Sequence, residues 1–155
     1  MSPTICISIN TIWRLITWIT TRTISTCKIY LNGNELATHG GGSIGQSTDS
    51  VINSAVLHRL GARQDSSSSH FFDGLVAEMH WVDGYAYDAS YFGETKNGVW
   101  IPKDPSGTSY GTNGVYLKFE NASDLGNDSS GNNNDYTSNM GTDHQSIDTP
   151  TLGTG

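Results

Sequence analysis

The stretch from Phe71 to Glu94, FFDGLVAEMHWVDGYAYDASYFGE, constrains what this chain can fold into more than any other part of it. Leu75, Ala77, Met79 and Trp81 alternate with Val76, Glu78, His80 and Val82. One face is therefore expected to be continuously apolar and the other mixed, the period of a strand packed on a core. Asp83-Gly84 ends the strand. Ala86 to Gly93 then reads as a short helical turn, with Asp88 to cap its free N–H groups and Gly93 to leave it.

The rest of the chain favours the same class. Its 155 residues amount to one domain, long enough to bury a core without obligatory staples. Eighteen glycines, abundant Ser, Thr and Asn, and only 15% charged residues favour strands and turns over helices, so an all-β fold is expected. Lys28 to Leu31, then Asn32-Gly33, then Asn34-Glu35-Leu36 predicts a tight hairpin, because Asn-Gly supplies the positive φ angles of a two-residue turn. Val51 to Ala62 fits a further strand, and Val115, Leu117 and Phe119 alternate with Tyr116, Lys118 and Glu120 in the last one. Gly40-Gly41-Gly42 and Asp65 to His70 read as loops. Asp124 to Asp135 carries so little apolar surface that it reads as solvated loop or linker.

Residues 1–27 stand apart, rich in Ile, Thr and Trp and nearly free of Gly, Asp and Glu. Ile5, Ile7 and Ile9 alternate as in a strand, whereas Ile12, Leu15, Ile16 and Ile19 fall at helical spacing, so periodicity leaves the segment open. It is either a divergent strand pair or a stretch read out of frame. Both cysteines, Cys6 and Cys27, lie here, as a disulfide or as two thiols; a metal site would need more ligands.

Charge excludes several partners. A net charge of −7 with only eight Lys and Arg repels polyphosphate and anionic lipid, so neither nucleic acid nor a membrane surface is an expected partner. Arg14, Thr17, Thr20, Thr21 and Arg22 interrupt the one candidate for a membrane-inserted run. The start shows no basic region followed by a small-residue cleavage site, so nothing in the sequence itself is expected to anchor or export the chain.

The order of these segments carries a resemblance. The Phe-x-Gly lead-in, the strand containing Glu78 and the Ala-containing turn resemble the laminin-G-like branch of the concanavalin A-like lectin/glucanase superfamily. Asp83-Gly84, Phe92-Gly93-Glu94, Asn97-Gly98-Val99-Trp100-Ile101-Pro102-Lys103 and Tyr110-Gly111-Thr112-Asn113-Gly114-Val115-Tyr116-Leu117 then follow one another as in domains of marine bacteriophage tail-fibre and structural proteins. The likeness covers roughly residues 28–150. It implies a jelly-roll β-sandwich with long polar loops and one short helical turn. Residues 28–120 would be the C-terminal part of one such domain, and 121–155 a polar linker or the start of a following repeat, so neither jelly roll need be complete. The Trp-x-His strand that the family usually carries near the start is missing from residues 1–27.

The same resemblance implies location in a virion or outside the cell, with host-surface glycan, other virion subunits or further copies of the chain as partners. Glycan-cleaving members place two carboxylates on one strand in a Glu-x-Asp-x-x-Glu pattern that flanks the glycosidic bond. This chain has none; Glu78 and Asp83, five apart, are expected on opposite faces. Nor is there a Gly-x-Ser-x-Gly elbow for its five histidines to serve, so these read as surface or hydrogen-bonded strand residues. No enzyme is expected.

Binding is better supported, since sugars need flat aromatic faces and short polar side chains. Trp100, Tyr110, Tyr85 and Tyr87, with Asn97 and Asn113, are the candidate glycan-binding residues, while Trp81 is assigned to the core. No organic cofactor is expected. Calcium, which takes oxygen ligands from loops, would draw on Asp73, Asp124 and Asp128, with Asn127, Asn132 and Asp135 nearby. The competing reading of these Asn- and Asp-rich turns is that their side chains bond their own backbone. For the chain as a whole, the competing function is a structural spacer or decoration domain of the virion.

Overall fold

The computed structural model describes residues 5–11, 14–20, 27–39, 55–62, 71–140 and 145. Among them are eight strands: β1 (Ile5–Thr11), β2 (Arg14–Thr20), β3 (Cys27–Leu31), β4 (Asn34–His39), β5 (Ala77–Asp83), β6 (Gly93–Lys96), β7 (Val99–Pro102) and β8 (Val115–Leu117). The helical element among the described residues is a 3-10 turn, Ala89–Tyr91. The all-β class expected from composition is therefore what forms. Six strands make one antiparallel sheet in the order β4-β3-β2-β1-β5-β8, and β6 and β7 form a separate two-stranded ribbon.

Two strands of the N-terminal segment lie inside this sheet, with β1 paired to β2 on one side and to β5 on the other. The helical spacing does not prevail at Leu15, Ile16 and Ile19, which lie in β2, while Ile12 lies outside the described residues. β2 pairs from Arg14 to Ile19 with β1 and from Ile16 to Thr20 with β3. The segment is dominated by Ile and Thr, whose branched Cβ suits a pleated strand better than a helix.

The β3–β4 hairpin closes as its sequence dictates, with Asn32 at φ 50° and Gly33 at φ 75° between the paired Leu31 and Asn34. A second Asn-Gly pair does the same at the tip of the ribbon: Asn97 (φ 53°) and Gly98 (φ 78°) join Lys96 to Val99. Both pairs have the two positive φ angles of a type I′ turn, which only Gly, Asn and Asp adopt readily.

β5 departs from the simple alternation. Leu75 and Val76 precede the strand, and Leu75 is half exposed rather than part of an apolar face. Glu78 takes φ 52° where the β1 register skips, with Ile9 opposite Met79 and Asn10 opposite Ala77. Such a bulge inserts one residue and reverses the parity of the strand, so the expected separation of Glu78 and Asp83 by pleat alone does not hold. Beyond it both parities are covered. Val82 packs with Phe92, Tyr110 and Tyr116, joined by Tyr30 and Tyr87, while Met79 packs with Val115 and Leu117, joined by Leu60, Trp81, Phe119 and Tyr136. A strand buried on both faces shows no clean period of two.

Two other expectations fail. Ala55 to Gly61 contains no strand; only an isolated bridge from Ala62 to Phe71 forms, and Val56 and Leu57 are largely exposed. The run from Asp124 to Asp135 is not a solvated linker but is laid against β8. Leu125 is buried, Asp128 bridges Leu117, Ser129 N–H donates to the Tyr116 carbonyl at 2.7 Å, and Tyr136 N–H donates to the Gly126 carbonyl at 2.9 Å. Low hydrophobicity misled here, because polar side chains hold this segment where apolar burial does not. Gly40 to Gly42, Val51 to Ser54 and the Asp65 to His70 loop lie outside the described residues.

Candidate functional site

The turn after β5 is built around Asp88. Its backbone is extended, its Oδ1 accepts from the Ser90 N–H at 2.8 Å, and the Phe92 N–H closes the turn on the Ala89 carbonyl at 3.0 Å. Ala89 and Phe92 point inward, Phe92 with no exposed surface, so Tyr91 between them is turned out. This brings three tyrosines together. Tyr87 lies between Tyr85, 5.8 Å away and within 11° of parallel, and Tyr91, 4.3 Å away at 38°. The middle ring rests edge-on against Phe92 at 6.3 Å, and its hydroxyl accepts the Ser109 N–H at 3.0 Å. The outer rings stay nearly half exposed, Tyr85 at 46% and Tyr91 at 42%.

The loop leading into β8 is sewn to the end of β5 beside this stack. Asp83 N–H donates to the Tyr110 carbonyl at 2.9 Å, and the Asp83 carboxylate accepts from both the N–H and the side-chain amide of Asn113 at 3.2 Å. Asp83, Asn113, Tyr85, Tyr87 and Ser109 thus share one rim of the molecule. The arrangement presents flat aromatic surface next to amide and hydroxyl groups, held by a rigid sheet end.

Below the rim, His80 is fully buried. Its Nδ1 is 2.8 Å from the Tyr110 hydroxyl, its ring stacks on Tyr116 at 4.3 Å, and Phe92 lies at 4.9 Å. Nε2 has no hydrogen-bond partner. Burial pushes the His80 pKa down to about 3, so the ring is neutral at ordinary pH. Burial likewise raises Tyr110 and Tyr116 well above the usual tyrosine range, with nearby carboxylates, Glu78 and Asp104 among them, adding to it. The group is an aromatic core with one internal hydrogen bond.

Of the residues nominated as glycan contacts, Tyr85 and Tyr87 belong to the stack, and Asn113 stands on the same rim with its amide engaged by Asp83. Tyr110 does not: at 8% exposure it is a core residue that a sugar face cannot reach. Trp100 also packs inward, against Gly33 and Gly93, where a Cβ would meet its ring atoms, and its buried Nε1 has no partner. Trp81 is partly buried against the second cluster, as its strand position implies. Asn97 is exposed at the tip of the β6–β7 ribbon, where its backbone makes the turn. Tyr91 was missed. Its signal is the spacing within Asp88-Ala89-Ser90-Tyr91-Phe92, where Ala89 and Phe92 take the inward side of one helical turn and leave Tyr91 outside.

The calcium candidates are not brought together. Among the described residues no group of three His, Cys, Asp or Glu side chains could hold a metal ion. Asp73 and Asp124 are exposed, whereas Asp128 is buried. Its Oδ1 accepts the N–H groups of Tyr116 and Ser130, each at 2.9 Å, and its Oδ2 accepts the Ser130 hydroxyl at 2.8 Å and the Asn134 N–H at 3.0 Å. Burial alone would raise its pKa, but these hydrogen bonds outweigh burial and hold the carboxyl below its ordinary value. Asp135 accepts the Asp128 N–H, and the side-chain amides of Asn132 and Asn134 donate to carbonyls of Gly111, Thr112 and Gly114. The Asn- and Asp-rich segment therefore bonds backbone, its own and that of the loop carrying Asn113. Among the described residues no helix is long and apolar enough to cross a membrane. Comparison with protein families, with curated proteins and with solved structures gives no match.

Proposed function

We propose that the chain is a non-catalytic glycan-binding domain of a phage tail or related virion protein, directed at glycan on the host surface. The observation that carries this reading is the Tyr85–Tyr87–Tyr91 stack, whose outer rings remain exposed while the middle ring is fixed by Ser109 and Phe92. Exposed rings stacked on a ring that is itself held by a hydrogen bond and core packing offer a sugar an aromatic face at little ordering cost. Asn113 and Ser90 supply short polar groups beside it. A concanavalin A-like jelly roll is the framework proposed, on the order of the sequence segments together with an antiparallel sheet that buries apolar residues on both sides of β5 and β8.

A second reading, a structural spacer of the virion, is favoured by one specific observation. Tyr110 and Trp100, two aromatic rings that sequence alone offers for binding, are spent on packing. A glycan array probed with the whole chain separates the two. Binding that weakens by about 1–3 kcal/mol in Tyr85→Ala or Tyr91→Ala, with the thermal transition near wild type, supports the glycan reading. No bound glycan, or equal binding by both variants, favours the spacer.

A further inference from the structure

We infer that the tyrosine stack selects uncharged glycans, hexose or N-acetylhexosamine oligosaccharides, over sialylated, sulfated or uronic acid-bearing ones. This rests on the glycan-binding reading and adds the chemical class of the ligand. The elements that build the rim, residues 77–117, contain five acidic residues, Glu78, Asp83, Asp88, Glu94 and Asp104, against two lysines, Lys96 and Lys103, and no arginine. The placement matters more than the count. Asp83 stands two residues before Tyr85, and Asp88 lies between Tyr87 and Tyr91 in the turn itself. Asp88, Glu94 and Asp104 are exposed and Asp83 is half-buried, so their charge is felt at the surface a ligand would approach.

Two cations stand in these elements against the five acidic residues. Lys96 is on β6 next to the ribbon tip, and Lys103, whose N–H donates to the Phe92 carbonyl at 3.2 Å, is followed at once by Asp104. Lys118, just beyond, is engaged by Glu120 at 3.8 Å and sits 5.6 Å over the Tyr116 ring. Carboxylate and sulfate groups on sugars are recognised by charge-assisted hydrogen bonds, above all the two-pronged contact of arginine. The rim offers instead tyrosine and serine hydroxyls and the Asn113 amide, which suit sugar hydroxyl and acetamido groups. A net charge of −7 on the chain repels an anionic ligand at longer range as well.

The test is an array of neutral oligosaccharides printed beside sialylated, sulfated and uronic acid-bearing counterparts of the same core. Binding of the neutral member with the charged one weaker by about fivefold or more at low salt, the gap narrowing as salt screens it, is the expected result. Asp88→Asn keeps the capping oxygen and should narrow the gap as well; Glu94→Gln, away from the cap, serves if that variant loses its fold. Equal or tighter binding of the charged members overturns the charge inference while leaving the aromatic site standing. Binding of neither class overturns both it and the glycan reading.

Discussion

Replacing His80 by Phe should remove about 2 kcal/mol of the protein's loss of stability between pH 7 and pH 5. His80 has no exposed surface, and its ring is enclosed by Tyr116 at 4.3 Å, Phe92 at 4.9 Å and the Tyr110 hydroxyl at 2.8 Å from Nδ1. In the folded chain its pKa is about 3, against 6.5 for the free side chain. As pH falls below 6.5, the unfolded chain takes up a proton that the folded chain refuses, so the unfolded state gains and stability declines. The slope approaches about 1.4 kcal/mol per pH unit and persists until the folded pKa is reached. From pH 7 to pH 5 the loss from this one residue is about 2 kcal/mol. Asp128, whose carboxyl is held below its ordinary value of 3.8, gives up its contribution as pH falls from there, below the range over which the His80 slope is measured. Urea unfolding followed by tryptophan fluorescence between about pH 7 and pH 4.5 gives the slope for wild type and for His80→Phe, and the remaining histidines cancel in the comparison. At pH 7 the variant strands the Tyr110 hydroxyl, at about 1–2 kcal/mol, and the double change His80→Phe/Tyr110→Phe removes both polar groups. Parallel pH profiles for wild type and the double variant would refute the reasoning, because they would mean that His80 is not held neutral by burial.

Asp128→Ala strips four donors of their acceptor, three of them backbone N–H groups, and should destabilise by about 2–4 kcal/mol in chemical denaturation, with or without added calcium. Calcium-dependent rescue of the wild type alone would instead mark a metal site. Gly33→Ala places a Cβ against the Trp100 ring at a residue with φ 75°, and a loss of about 2–4 kcal/mol in thermal or urea unfolding is expected. Removing residues 1–27 takes out β1 and β2 and separates β3 and β4 from β5; circular dichroism should show loss of the cooperative transition, and an unchanged melting curve would contradict the central place of β1.

Much of this architecture was legible in the residues. Asn32-Gly33 fixed the first hairpin because few residues tolerate two successive positive φ angles, and Asp88 announced the turn it caps. The all-β class followed from glycine, β-branched residues and sparse charge. What the sequence concealed has a physical cause in each case. Alternation along Leu75 to Val82 ignores both the bulge at Glu78 and the second face that β8 and its neighbours cover. Hydropathy alone could not show that Asp128, Asn132 and Asn134 would hold a polar segment by hydrogen bonds to carbonyls and N–H groups far along the chain. Exposure is a tertiary property. Tyr85 and Tyr110 look alike as loop tyrosines, yet the first lies on the rim and the second hydrogen-bonds His80 in the core.

The central claim, that the tyrosine stack is a glycan platform, is tested most directly by calorimetric titration of the chain with the tightest-binding oligosaccharide from the array. Wild type, Tyr85→Ala and Tyr91→Ala are compared, with melting temperatures measured alongside. An affinity lower by roughly ten- to hundredfold in at least one variant, at unchanged melting temperature, is the result expected of a lost aromatic contact. Equal affinities for all three proteins would contradict the account.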